Sequence, residues 1–441
     1  MTRSSGPSVQ STSWPRAPFV FAGGLILAAG VASWTDSALV RLSLGQGQID
    51  LASTTIVVPD KAPLTDREIA AARAAWRYIE GNTQAGTGLV NSVDGFASTT
   101  LWDQGSYILS LVAAARLGLV DTAELDRRAV AFIDGLTRLE LYDGRLPNKV
   151  YDTQTLRMVD YANTEVVGGI GWSALDIARL LMGLRVLEKH YPQHGPAIRT
   201  ALGDWDLAAM ADRGELMGAE AHADGPRMVQ EGRIGYEQYG ARAAALWGLD
   251  VLRAMSADRI IEWARVDGVD VPRDARRAAG FGAITPTVSE PYMLLALELG
   301  FDAESATLAQ AVLQAQERRF EETGHITMVS EDHLDEAPHF AYAGVIANGR
   351  PWGVVTEAGT FHDDMRTQSV KASFAWDAIA GSAYTRQARE AVIDLADPER
   401  GFPAGIYESD GRVNEIYTLN TNAIILEALH FQVFGPLWSV R

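Results

Sequence analysis

The chain has 441 residues, 47% hydrophobic and 21% charged, so it buries a sizeable core and is not disordered. A formal net charge of −18 with no basic block argues against nucleic acid, whose phosphates need a basic patch, and favours a neutral or cationic ligand. The absence of cysteine rules out disulfides, thiolate nucleophiles and thiolate metal sites.

At the N-terminus Arg3 and Arg16 precede an uncharged run over 17–32, APFVFAGGLILAAGVA, with Gly30 and Ala32 as small residues at a cleavage position. The pattern predicts a signal peptide or signal anchor over residues 1–32. It therefore predicts export to the periplasm or beyond, with an inner-membrane anchor through residues 17–32 if they are retained. Residues 33–63 read as a linker, and residues 64–441 as one domain.

Within that domain Thr65 and Glu68 form a capping-box pattern ahead of a helix over 66–80. A second helix begins at Leu101-Trp102-Asp103, and a third follows Asp121. Asp143-Gly144 and Pro147-Asn148 signal a hairpin. Gly171-Trp172-Ser173 opens a strong helix, and another is predicted over 196–210. A hairpin-like stretch over 215–233 leads into EGRIGYEQYGARAAALW, residues 231–247, where Tyr236, Gly240, Ala243 and Trp247 share a helical face. After a weak stretch of about 40 residues, Ser289 caps a helix containing Pro291 and Tyr292. A long amphipathic helix over 303–322 follows, then an irregular region, helices near 369–376 and 385–395, a hairpin, and a last helix over 421–431.

Six of these helices follow a polar, glycine-rich loop and carry aromatic and polar residues in their first turn. The starts are at Trp102-Asp103, Trp172-Ser173, Tyr236-Glu237, Glu290–Tyr292, Thr367–Ser369 and Thr418–Asn422. Plainer amphipathic helices lie between most of them, at irregular spacing, which is not a solenoid repeat. The expected fold is all-α, an (α/α)6 toroid of six helix hairpins with short β-hairpins in the loops on the cleft face. An open solenoid or bundle is the alternative. In the toroid the inner helices bring their N-termini to one face, where helix dipoles favour acids.

The segments TGLVNSVDGF, TLWDQGSYI, GWSALDIARLL, GYEQYGARAAALWG, SEPYMLLALELG and VSEDHLDEAPHFAY resemble the bacterial family known as domain of unknown function 3131. The resemblance covers roughly residues 65–435. That family is similar to glycoamylase-like α/α-toroid proteins, a neighbourhood that includes β-glucan-degrading glycoside hydrolases. The resemblance implies the fold more directly than an activity.

Glycoside hydrolysis needs two carboxyl groups, and an inverting pair stands about 6.5–9.5 Å apart. Five acids have a suitable context: Asp103, Glu237, Glu290, Glu331 and Asp332. Glu237, between Tyr236 and Tyr239, is the first choice for general acid, because aromatic neighbours desolvate a carboxyl and raise its pKa. Asp103 or Glu290 would be the base. Each also fits a plain helix-dipole role, and Glu331-Asp332 also fits a solvated acidic loop. Trp102, Trp172, Tyr236, Tyr239, Tyr292, Tyr342 and Trp352 lie near loop–helix junctions and are candidates for stacking on sugar rings, whereas Trp76, Trp247 and Trp376 read as core. His333 and His339 lack metal-ligand spacing, and no phosphate-binding loop, dinucleotide fingerprint or nucleophile elbow occurs, so neither metal nor cofactor is expected.

The expectation is an exported glycoside hydrolase or transglycosylase that acts on a bacterial glucan or exopolysaccharide by a two-carboxylate, inverting mechanism, with an oligo- or polysaccharide as its partner. A non-catalytic glycan-binding protein that assists polysaccharide synthesis or export is the alternative. A polysaccharide lyase, with Arg179, Arg233 and Arg242 as a cationic subsite, is a third.

Overall fold

The structure is a computed structural model and describes residues 48–51 and 56–438. The hydrophobic run at 17–32 lies outside the described residues, and no helix among them is long and apolar enough to cross a membrane.

Helix α1 (Asp66–Asn82) starts where the capping box places it: Glu68 accepts from the Thr65 amide at 2.7 Å. Its apolar stripe, Ala72, Ala75, Trp76 and Ile79, is buried. Helix α2 (Leu101–Arg116) is capped by Thr100, and α3 (Thr122–Thr137) by Asp121. Ser173 caps α4 (Ala174–His190). The helix expected over 196–210 is broken into α5 (Gly195–Ala201) and a 3-10 turn, Leu207–Met210. Next come α6 (Tyr236–Ala245) and α7 (Glu290–Leu294), which continues as a π-turn, Leu295–Leu299. Helices α8 (Ala303–Thr323), α9 (Val370–Ala380), α10 (Ala383–Glu390) and α11 (Leu419–Phe434) complete the set used below.

The helices sort into two layers. Helix α2 packs on α4, α4 on α6, α6 on α7, α7 on α9, α9 on α11, and α11 back on α2. Helices α1, α3, α8 and α10 pack on the outside of α11, α2, α7 and α9, and α5 packs on α3. Helices α2 and α4 approach closely at Gly105, where a Cβ would stand 2.7 Å from the backbone of Arg179.

Between α6 and α7 no long helix forms. The weak stretch after Trp247 makes turns and then an antiparallel hairpin, Ile261–Val266 with Val269–Asp274. Asp267 and Gly268, both at positive φ, form its two-residue turn, the chemistry that a tight hairpin demands.

A short strand or bridge precedes each inner helix. Ser98–Thr100 leads into α2, Gly171–Trp172 into α4, Arg227–Gln230 into α6, Thr367–Ser369 into α9 and Val413–Tyr417 into α11, and Thr287 bridges Ile346 just before α7. These strands pair with loop strands, so regular backbone pins the start of each inner helix and the side chains carried there.

Candidate active site

Helix α2 brings Trp102 and Asp103 to this end of the inner layer. Trp102 is half-buried, with the Arg179 guanidinium 4.8 Å from its ring centroid and Tyr236 and Tyr239 edge-on at 5.6 and 5.8 Å. Asp103 accepts from Ser92 Oγ at 2.6 Å and Thr100 Oγ1 at 2.9 Å. Burial pushes its carboxyl up, and those two hydroxyls pull it back.

The neighbouring start, that of α4, holds a carboxyl pair that sequence reasoning missed. Glu231, from the end of the 215–231 hairpin region, accepts from the amides of Ala174 and Leu175 and from Ser173 Oγ. It thus occupies the positive end of the α4 dipole. Asp176, in the first turn of α4, is half-buried, and its carboxyl is pushed up to about 8, first by desolvation and then by the charge of Glu231. Burial pushes both carboxyls up; Lys149 and the three donors pull Glu231 back, while the charge of Glu231 raises Asp176 further.

A small sheet pairs Glu331–His333 with Phe340–Ala343. The acidic pair Glu331-Asp332 is therefore in a buried strand and not in a solvated loop. Strand alternation sends the two side chains to opposite faces. Glu331 shares its face with Tyr342, its register partner, and accepts from the Tyr236 hydroxyl on Oε1, while Oε2 has no hydrogen-bond partner. Burial pushes Glu331 up to about 7 against the pull of Lys371. Burial pushes the Tyr342 phenol up, the charges of Glu357, Glu331 and Asp176 push it further, and Arg233 pulls it back.

Asp332 points the other way, towards Lys371 of α9 at 3.5 Å, and is pushed up to about 6, mainly by burial. Lys371 Nζ also lies 2.5 Å from Glu290 Oε2. Although burial opposes its charge, Glu290, Asp332 and Glu331 hold the lysine above its ordinary range. Asn420 of α11 donates to both Glu290 oxygens at 2.9 and 3.1 Å and accepts from Ser106, which accepts from Arg179. Arg179 in turn pairs with Glu298 and Glu427, and all three are fully buried. A continuous polar network thus runs from the cleft floor into the middle of the inner layer.

Glu237 does not join this constellation. Arg276 Nη2 holds it at 2.7 Å and also binds Asp274 at 2.6 Å, and all three side chains are buried. Burial pushes the Glu237 carboxyl up against the Arg276 charge. A carboxylate tied to a buried guanidinium ties α6 to the hairpin and is poorly placed to lend a proton. Glu290 is likewise fully buried, behind Lys371 and Asn420, and is a brace for the site rather than a wall of it.

The aromatic candidates divide in the same way. Trp102 and Tyr342 keep part of their surface exposed, and Tyr236 is buried with its hydroxyl on Glu331. Trp172 is fully buried, with its indole N–H on the Met217 carbonyl, because strand pairing turns it inward. Tyr239 is buried and donates to Glu298 at 2.6 Å. Tyr292 is buried against Gly235. Trp352 donates to Asp267 at the hairpin turn and carries Arg319 on its ring, so it locks two loops together. These four are corrections to the stacking role expected of them. Trp76 and Trp376 are core as expected, and Trp247 is partly buried against the core. Among the described residues no group of three His, Asp or Glu side chains is placed to hold a metal ion.

Solved structures share this architecture at low identity. An endo-β-1,2-glucanase from Chitinophaga pinensis, in complex with sophorotriose and glucose, superposes with a TM-score of 0.61 at 10% identity over 85% of this chain and 94% of its own. A mutant endo-β-1,2-glucanase from Talaromyces funiculosus, in complex with β-1,2-glucan, gives 0.51 at 12% identity over 84% of each chain. A Bacteroides caccae protein provisionally described as a glucoamylase gives 0.57 at 13% identity over 84% and 94%. The fold is therefore similar to that of these glucanase and glucoamylase-like structures. No curated protein matches it in sequence. Residues 70–435 match the family described as "Protein of unknown function (DUF3131)", and the chain belongs to that family.

Proposed function

We propose that this protein is a glycoside hydrolase that cleaves a neutral glucan, or a glucan-like bacterial exopolysaccharide, with Asp176 and Glu331 as its two carboxyl groups. One observation carries the reading. Two acids from different elements both act on the Tyr342 phenol, and burial above all pushes one up to about 8 and the other to about 7. Asp176 gives its proton to the glycosidic oxygen as the bond to the anomeric carbon breaks. Water attacks that carbon from the other side and loses a proton to Glu331. Tyr236 fixes Glu331 through Oε1, which leaves Oε2 for the water. Trp102 forms the floor on which a sugar ring lies. The fold shared with β-1,2-glucanases supports a glucan as substrate by analogy.

The domain is read as an (α/α)6 toroid in which a β-hairpin replaces one outer helix. The cyclic order of inner-helix contacts supports it. Export to the periplasm or outside the cell, with residues 17–32 as leader or anchor, belongs to the same reading and is tested by cell fractionation of the full chain.

Time-resolved proton NMR of wild-type protein with α-1,4-, β-1,2-, β-1,3- and β-1,4-glucans tests the reading. New reducing ends with the inverted anomer first are expected. Binding without any cleavage would transfer the cleft to the glycan-binding alternative.

A further inference from the structure

The sheet that carries Glu331 has two unlike faces. Asp332, Ala341 and Ala343 point to one of them, and all three are buried. Glu331, His333, Phe340 and Tyr342 point to the other, where the three rings are only half-buried. Register sets Tyr342 opposite Glu331 and Phe340 opposite His333. The rings touch in sequence. The Phe340 centroid lies 5.0 Å from that of His333 and 5.2 Å from that of Tyr342, edge-to-face in both cases. Glu331 joins this row to a second one: it accepts from the Tyr236 hydroxyl, and the Tyr236 ring stands 5.6 Å from Trp102. A line of aromatic rings thus leads from Trp102 to His333 and passes the carboxyl of Glu331.

Packing does not account for the middle of the row. Tyr342 rests on the small apolar cluster of Ile284, Ala347 and Val355, but Phe340 joins neither apolar core among the described residues. The backbone around Phe340 is held by other means. Asn414 donates to the His333 carbonyl at 2.7 Å and accepts from the Asp335 amide at 2.9 Å. Asp335 also accepts from the Tyr407 hydroxyl at 2.8 Å and from Arg412 at 2.9 Å. These bonds tie the turn at 334–339 to the hairpin of Pro403–Tyr407 with Val413–Tyr417, so its fold does not need a ring at position 340. Burial, Lys371 and His339 push the His333 imidazole down to about 3, so all three rings are uncharged near neutrality. Aromatic rings pack on the apolar C–H faces of pyranoses, and rings already held against one another lose little entropy in doing so.

We propose that Phe340, flanked by Tyr342 and His333, is the centre of an aromatic platform that takes a further pyranose ring of the glycan, beyond the one on Trp102. The platform shares a strand pair and a face with Glu331, so a chain bound at that carboxyl continues onto it. The inference rests on the glycan reading given above and adds to it the path of the chain past Glu331.

The test is calorimetric binding of glucohexaoses (α-1,4, β-1,2, β-1,3 and β-1,4) to the full chain and to its Phe340→Ala, Phe340→Leu and Phe340→Tyr variants. It is run in the E331Q background so that the probe survives. Thermal melts, and hydrolysis with Glu331 intact, are measured in parallel. Phe340→Ala and Phe340→Leu are expected to weaken the best hexaose about tenfold, and Phe340→Tyr to stay within about twofold. Phe340→Leu keeps the apolar bulk, so its melting temperature should match that of the parent while its KM rises about tenfold and its kcat stays within about threefold. Parental binding by Phe340→Leu overturns the platform, whether or not Phe340→Ala folds. So does a loss of binding that appears only in variants whose melting temperature has fallen, because it marks a structural role. Ring-dependent binding with no hydrolysis by wild type supports the platform and overturns the hydrolase reading. No binding of any hexaose overturns both.

Discussion

Asp176→Asn separates catalysis from stability in one substitution. The fold holds this carboxyl protonated to about pH 8, against an ordinary 3.8. A raised pKa means that the folded state binds the proton more tightly than the unfolded chain does. The resulting stabilisation is complete below about pH 3.8 and is lost as pH rises through 8. The difference, 8 minus 3.8, is 4.2 units and at about 1.36 kcal/mol per unit sets a ceiling of about 5.7 kcal/mol. Asp176 is only half-buried, so solvent screening reduces that to about 2 kcal/mol. Asparagine mimics the protonated acid and never ionises. The variant should therefore unfold at a higher temperature than wild type at pH 9, with the gap closing towards pH 4. Its hydrolysis rate should fall by about 10²–10⁴-fold, the usual worth of a general acid. Circular-dichroism melts at pH 5, 7 and 9, together with rates on the glucan that wild type cleaves, would show both effects. A variant less stable than wild type at pH 9, or one that keeps its rate, refutes the assignment.

Other substitutions probe the remaining parts. Wild type should show a bell-shaped rate profile with limbs near 7 and 8, set by Glu331 and Asp176, and a profile flat across that range would contradict the pair. Glu237→Gln should keep its rate within about threefold, whereas Arg276→Met, which strands Glu237 and Asp274 without a cation, should destabilise by about 3–5 kcal/mol in thermal melts. Loss of turnover in Glu237→Gln with an unchanged melt would restore Glu237 as the acid. Lys371→Met leaves Glu290 and Asp332 unpaired and should also lower stability by about 3–5 kcal/mol, with partial recovery on acidification as Asp332 takes up a proton. Trp102→Ala should raise KM in a folded protein, while Trp172→Ala should act through stability, at about 3–5 kcal/mol.

Local rules made much of this fold legible. The N-caps Thr65, Asp121 and Ser173 and the 3.6-residue apolar stripes located the helices, and the shared chemistry of the inner-helix starts placed Trp102, Asp103 and Tyr236 at one end. The hairpin at 261–274 was missed within the weak stretch after Trp247, although Asp267-Gly268 at its turn is a hairpin signal. What the sequence hid was pairing over distance. Arg276 lies in the weak stretch, so nothing near Glu237 shows that its charge is already matched. Asp176 sits inside a quoted helix start and looks like an ordinary first-turn acid until Glu231, 55 positions on, is folded beside it. Trp172 looked like Trp102 in sequence, yet strand pairing with Ala219 buries one while the other stays at the cleft.

The central claim is that Asp176 and Glu331 act together on a glycosidic bond. Reducing-end release from the glucan panel by wild type, Asp176→Asn and Glu331→Gln, each confirmed folded by circular dichroism, tests it most directly. The account predicts cleavage of at least one glucan by wild type and a loss of about 10²–10⁴-fold in each variant, with glycan binding retained. Wild-type rates in either variant would contradict it.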